Sequence, residues 1–136
     1  NLKYEDIEIA IKKINPNIRI FYTYYEPSNI KSLNTNSKYL IFSGIGNAEN
    51  FKKILLDNKI NVIKEIIYPD HYEYDENDIK KLRKQAENLG SNLLTTEKDF
   101  VKISKISNDK INFLEVDLKI QNEEEFTKFL KDKINE

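Results

Sequence analysis

The chain has 136 residues, enough to bury one core and short for two domains. Its 22 Lys+Arg against 23 Asp+Glu leave a net charge of -1, which gives nucleic acid or an anionic membrane no global attraction. Cysteine is absent, excluding disulfides, thiolate metal sites and cysteine nucleophiles.

No signal-peptide pattern opens the chain, and no apolar run approaches the roughly 20 residues that cross a bilayer, so the segment reads as soluble. It starts at Asn1 and contains no methionine, as expected of a segment of a longer protein.

In chain order, Tyr4, Ile7, Ile11 and Ile14 recur at helical spacing and Pro16 stops the pattern, which predicts an amphipathic helix. Residues 18–25 are β-branched and aromatic and predict a strand ending at Glu26-Pro27. Residues 30–37 read as a polar loop. Tyr39-Leu40-Ile41-Phe42 is a continuous apolar run, the mark of a strand buried on both faces. It leads into Ser43-Gly44-Ile45-Gly46-Asn47. A helix is expected from Asn47, with Phe51, Ile54 and Leu55 on one face and Asn58 as a left-handed stop.

A second strand-like run, 61–67, ends at Tyr68-Pro69-Asp70-His71-Tyr72-Glu73-Tyr74. Asp75 reads as an N-cap, with Asp78 at the third helical position, for a helix carrying Ile79, Leu82, Ala86 and Leu89 and closed by Gly90. Residues 92–95 predict a short strand, followed by a brief helical turn through Ile103. Residues 111–116 alternate like one half-buried strand. The last helix, from about Asn122, has acids first and lysines last, matching the helix dipole, with Phe126, Phe129, Leu130 and Ile134 as its buried face. Strands alternating with helices predict a single α/β domain: a three-layer sandwich with a mostly parallel sheet and helices on both faces.

Three constellations carry chemistry. The Gly44 to Asn47 turn follows a buried strand and opens a helix, a place where unpaired N–H groups can receive a phosphate. Position 49 is Glu, so the dinucleotide glycine fingerprint is incomplete; no glycine precedes Lys-Ser or Lys-Thr, so there is no P-loop. A tight turn capped by Asn47 explains the same residues structurally.

The second is Asp70 with His71, the only histidine. An imidazole beside a carboxylate suits general acid/base work. The structural alternative has Asp70 making a turn after Pro69 while His71 packs among Tyr68, Tyr72 and Tyr74. One histidine with scattered carboxylates predicts no metal site. The third is Thr95 to Lys102. Thr96 and Asp99 make a capping-box-like helix start that Glu97 suits, whereas Lys98 in the first turn is unfavourable to the dipole. Lys98, joined by Lys102 one turn on, could meet an anionic group of a ligand or another domain.

In this order, Phe42-Ser43-Gly44-Ile45-Gly46-Asn47 with Phe51, Tyr68-Pro69-Asp70-His71-Tyr72 with Tyr74, Asp78 and Ile79, and Thr95-Thr96-Glu97-Lys98-Asp99 with Val101-Lys102 resemble the C-terminal half of the tetraacyldisaccharide 4'-kinase family. The similarity covers about residues 5–130. Ala48 departs from the family's usual proline, at a position alanine also fills.

The resemblance implies a two-domain kinase that phosphorylates a lipid disaccharide from ATP on the lipid A pathway, peripheral to the cytoplasmic side of the inner membrane. It implies that ATP, Mg2+ and a catalytic aspartate belong to an N-terminal P-loop domain outside this chain. His71 would reach across the cleft to that aspartate, with Asp70 in support. Gly44, Gly46, Asn47, Thr96, Glu97, Lys98 and Asp99 would lie on the same rim, facing the cleft or the lipid substrate. The chain alone would be inactive. The alternative is a non-catalytic α/β module that binds a phosphorylated small molecule at the Gly44 to Asn47 turn. An NAD-dependent oxidoreductase is disfavoured by the incomplete glycine pattern.

Overall fold

The computed structural model describes residues 4–107 and 110–135. They fall into two compact units, Pro27–Asp117 and a second made of Asn1–Glu26 with Leu118–Glu136.

The larger unit is built on a four-stranded parallel sheet. Strand β2 (Lys38–Ser43) lies between β3 (Asn61–Ile67) and β4 (Asn92–Thr96), and β5 (Asn112–Leu114) adds to β4. The apolar run of β2 is buried on both faces, as its composition predicts. Alternation along the strand assigns its side chains to two cores. Leu40 and Phe42 join Ile79, Leu82 and Ala86 of α3 (Glu76–Asn88) and Ile103 of α4 (Glu97–Ile103). Tyr39 and Ile41 join Phe51 and Leu55 of α2 (Ala48–Asp57). Helices therefore cover both faces, and the α/β class stands.

Local capping also follows the sequence. Asn47 Oδ1 accepts from the Asn50 N–H (3.1 Å), starting α2. Asp75 Oδ1 accepts from the Asp78 N–H (2.8 Å) while Asp78 Oδ2 accepts from the Asp75 N–H (3.1 Å), a reciprocal box that starts α3. Gly90 follows with φ +57°. The left-handed residue after α2 is Lys59 (φ 60°), not Asn58, whose φ is -95°. Asn58 donates both its backbone N–H and its side-chain amide to the Ile54 carbonyl, which holds it on the right-handed side of the map.

Residues 111–116 do not form one strand. Asn29 reaches across the sequence, accepting from the Glu115 N–H (3.0 Å) and donating to the Phe113 carbonyl (2.9 Å). That clamp separates β5 from β6 (Val116–Ile120), which pairs with β1 (Thr23–Pro27) in a small antiparallel sheet.

In the smaller unit, β1 begins only at Thr23, so residues 18–22 are not strand. Phe21 instead packs its ring against Phe126 and Phe129 of α5 (Glu123–Ile134), with Arg19 over the Phe21 ring and paired to Glu125. Tyr22 donates its hydroxyl to Glu8 on α1 (Tyr4–Ile14). The apolar faces expected of the two helices are incompletely covered: Tyr4, Ile14, Leu130 and Ile134 are all exposed.

Candidate active site at the ends of the parallel strands

Strands β2, β3 and β4 all point their C-terminal ends toward the same rim, the place where open parallel sheets bind ligands. Each of the three motifs leaves the sheet there. The Tyr68 N–H donates to the Ser43 carbonyl (2.8 Å) and the His71 N–H to the Gly44 carbonyl (3.1 Å), so the Pro-Asp-His turn lies along the glycine turn. The Tyr72 N–H closes that turn on the Pro69 carbonyl (3.1 Å). From β4, the Thr95 hydroxyl donates to the Phe42 carbonyl (2.8 Å), and the Gly44 N–H donates to Asp99 Oδ2 (3.0 Å).

His71 sits in the left-handed region at φ 60°, a conformation costing a non-glycine residue roughly 1–2 kcal/mol. Its N–H also donates to Asp70 Oδ1 (2.9 Å), and its Nε2 lies 3.8 Å from Asp70 Oδ2. Its side chain is 74% exposed and that of Asp70 49% exposed. The imidazole is therefore not packed among the tyrosines, which stack on one another: Tyr68 and Tyr72 at 4.5 Å, each 5.1 Å from Tyr74. Asp70 does make the turn, and it touches the histidine as well.

The third motif divides. Lys98 is half exposed, and its Nζ stands 4.0 Å from Asp70 Oδ1, placing a cation beside the Asp70–His71 pair. Lys102 turns inward instead. It donates to the Tyr72 carbonyl (2.8 Å), lies 3.7 Å from Glu73, and does not join Lys98 at the rim. Glu97, Gly46 and Asn47 are exposed, whereas Gly44 and Asp99 are buried. A Cβ on Gly46 would come within 3.4 Å of Asp70 Oδ2, so the bare backbone there leaves room for the carboxylate. Asn47 already uses the Asn50 N–H, one of the donors an anion at this helix start would need.

Behind the rim, the tyrosines are held neutral. Burial, aided by negative Asp78, pushes the Tyr68 hydroxyl up to about 12. The Tyr72 hydroxyl donates to Asp78 Oδ2 (3.1 Å), and that bond raises it. Burial first and the charge of Asp99 second raise Tyr74. The Tyr74 hydroxyl and Asp99 Oδ1 are both buried and neither makes a hydrogen bond of good geometry, although the Asp99 carboxylate is near enough to act on the hydroxyl. Sequence alone does not show this pair, nor the Gly44–Asp99 bond, because no local spacing relates residues so far apart.

Among the described residues no three His, Asp or Glu side chains gather as a metal site. Among the described residues no helix is long and apolar enough to cross a membrane.

Comparison with known proteins agrees with the family resemblance. The model of the family "Tetraacyldisaccharide-1-P 4'-kinase" matches residues 4–135. The tetraacyldisaccharide 4'-kinase of Pelagibacter ubique (strain HTCC1062) is 36% identical over 130 residues, covering 96% of this chain and 41% of that protein. The Rickettsia bellii (strain OSU 85-389) enzyme of the same name is 41% identical over 90 residues, 66% of this chain and 28% of that one. A crystal structure of LpxK from Aquifex aeolicus in complex with ATP shares the fold at a TM-score of 0.52 and 21% identity, across 96% of this chain and 44% of its own. The chain thus spans less than half the length of these relatives, matching their C-terminal part. By its family match and its sequence identity to these enzymes, the chain belongs to the tetraacyldisaccharide-1-P 4'-kinase family.

Proposed function

We propose that this chain is the C-terminal domain of a two-domain kinase of lipid A biosynthesis. The complete enzyme transfers the γ-phosphate of ATP to the 4'-hydroxyl of a tetraacyldisaccharide 1-phosphate. The observation that carries this reading is His71: exposed, 3.8 Å from Asp70, and held in a strained backbone at the C-terminal rim of the parallel sheet. Strain of this kind persists only where surrounding bonds over-determine it, and it gathers at functional sites.

In the complete enzyme the P-loop domain supplies the grip on ATP and Mg2+ and the carboxylate that accepts the proton of the sugar hydroxyl. Phosphoryl transfer depends mainly on positioning and charge neutralisation. His71 contributes to the first by hydrogen-bonding that carboxylate and holding it toward the hydroxyl; a protonated ring would also lower its pKa. Asp70 orients the imidazole, and Lys98, half exposed beside Asp70, balances its charge; in the complete enzyme it would meet the partner domain or the phosphorylated substrate. Gly44, Gly46, Asn47, Thr96, Glu97 and Asp99 shape this rim. The enzyme works as a peripheral protein on the cytoplasmic side of the inner membrane, with its lipid-contacting surface in the part outside this chain.

The division of labour is tested with purified residues 1–136, checked for secondary structure by circular dichroism, against the complete enzyme. The complete enzyme is expected to phosphorylate the lipid disaccharide, and the folded chain alone to bind ATP weakly and hydrolyse none above background. Robust ATP hydrolysis by the chain alone would overturn the proposal.

A further inference from the structure

Asp99 is fully buried, and no cationic side chain pairs with it among the described residues. A carboxyl group in that position is costly unless its oxygens are hydrogen-bonded. Capping does not explain it. In the box that starts α3, the carboxylate of Asp78 returns to the backbone N–H of its own cap residue, and both members of that box remain accessible to solvent. In α4, the Thr96 hydroxyl accepts from the Asp99 N–H (3.2 Å), but the Asp99 carboxylate, besides meeting that hydroxyl, reaches a different element. Its Oδ2 accepts from the Thr96 hydroxyl (2.8 Å) and from the Gly44 N–H (3.0 Å) at the end of β2.

Gly44 is bonded on both sides. Its N–H goes to Asp99, and its carbonyl accepts from the N–H of His71, the residue with φ 60°. Two consecutive bonds thus connect a buried side chain to the backbone of the strained histidine. Asp99 also fixes the first turn of α4, from which Lys98 reaches Asp70.

We propose that Asp99 is a positioning residue for His71. Its buried carboxylate locks the Gly44 peptide, and Gly44 holds the Pro69 to Tyr72 turn in the one backbone geometry that presents the imidazole beside Asp70. The inference rests on the assignment of His71 to the active site.

The test uses the complete enzyme and hydrogen-exchange NMR beside steady-state kinetics. Asp99→Ala leaves the buried Gly44 N–H without an acceptor. Amide exchange at Gly44 and His71 is expected to quicken by about ten-fold or more, with Leu40 and Leu82 unchanged. The kcat is expected to fall by a similar factor, roughly ten-fold, with KM for ATP unaltered. Asp99→Asn keeps an oxygen for the Gly44 N–H and is expected to restore most of both. Equal acceleration at all amides would mean a merely structural role, and unchanged exchange at His71 in folded Asp99→Ala would overturn the proposal.

If the alanine variant does not fold, the unmodified enzyme decides. Gly44 and His71 amides are expected to open together, and rates differing by more than about ten-fold after correction for intrinsic exchange overturn the coupling. His71→Ala separates the two claims. An unchanged rate there removes the active-site reading, while the exchange result still stands or falls alone. An impaired His71→Ala with a normal kcat in Asp99→Ala defeats the positioning role itself.

Discussion

Gly44→Ala probes how closely the two turns at the rim are fitted together. A Cβ built on Gly44 would lie 3.1 Å from the Tyr72 Cβ, 3.2 Å from the Pro69 carbonyl oxygen and 3.2 Å from the Tyr74 hydroxyl. Carbon atoms prefer about 3.5–4.0 Å, so the methyl enters several tenths of an ångström too deep. Two of the three obstacles are a backbone oxygen and a Cβ, which cannot swing aside. Relief requires moving the Pro69 to Tyr72 turn, at the overpacking cost of about 1–3 kcal/mol. For a unit of this size, roughly 2 kcal/mol lowers Tm by about 10 °C. The assay is thermal and urea unfolding followed by circular dichroism, with an unchanged urea m-value expected. Two other glycines serve as controls. Gly90→Ala meets nothing within 4 Å but must hold φ +57°, which costs about 1 kcal/mol. Gly46→Ala, at 3.4 Å from Asp70 Oδ2, should stay within about 0.5 kcal/mol. A Gly44→Ala protein melting within a degree or two of wild type, or less affected than Gly90→Ala, would refute the close fit.

Lys102→Met keeps an apolar stem and deletes the bond to the Tyr72 carbonyl, so urea unfolding should show a loss of about 1 kcal/mol. Asp75→Ala breaks the reciprocal box at the start of α3 and should cost about 1 kcal/mol, read in the same assay; Asp75→Asn should recover most of it. Alkaline pH should destabilise the larger unit. Tyr68, raised to about 12, keeps its proton when folded while an unfolded tyrosine releases it near 10, so stability is complete below pH 10 and falls as pH rises toward 12. Tyr74 adds to the effect in the same direction. In Tyr68→Phe the decline between pH 10 and 12 should be visibly shallower; an identical slope contradicts the assignment.

Where structure depends on neighbours in sequence, it was legible there. The caps at Asn47, Asp75 and Thr96, the αL position at Gly90 and the doubly buried strand β2 all rest on residues within a few positions of one another. The misreadings have long-range causes. Asn29 divides the 111–116 run, and Phe21 leaves its expected strand for the rings of α5. Among the site residues, Asp70 and His71 stood out by chemistry, and both lie at the rim. The inward turn of Lys102 and the link from Asp99 through Gly44 to His71 depend on how separate strand ends meet, which spacing along the chain does not encode.

The most direct measurement is the turnover of the complete enzyme carrying His71→Ala, with tetraacyldisaccharide 1-phosphate and ATP, beside its melting curve. The imidazole is largely exposed, so its removal should leave Tm within a few degrees of wild type. If His71 holds the catalytic carboxylate as proposed, its loss should lower kcat by about 10²-fold. A wild-type rate from the folded variant would show that His71 does not serve phosphoryl transfer and that the rim of this domain has another role.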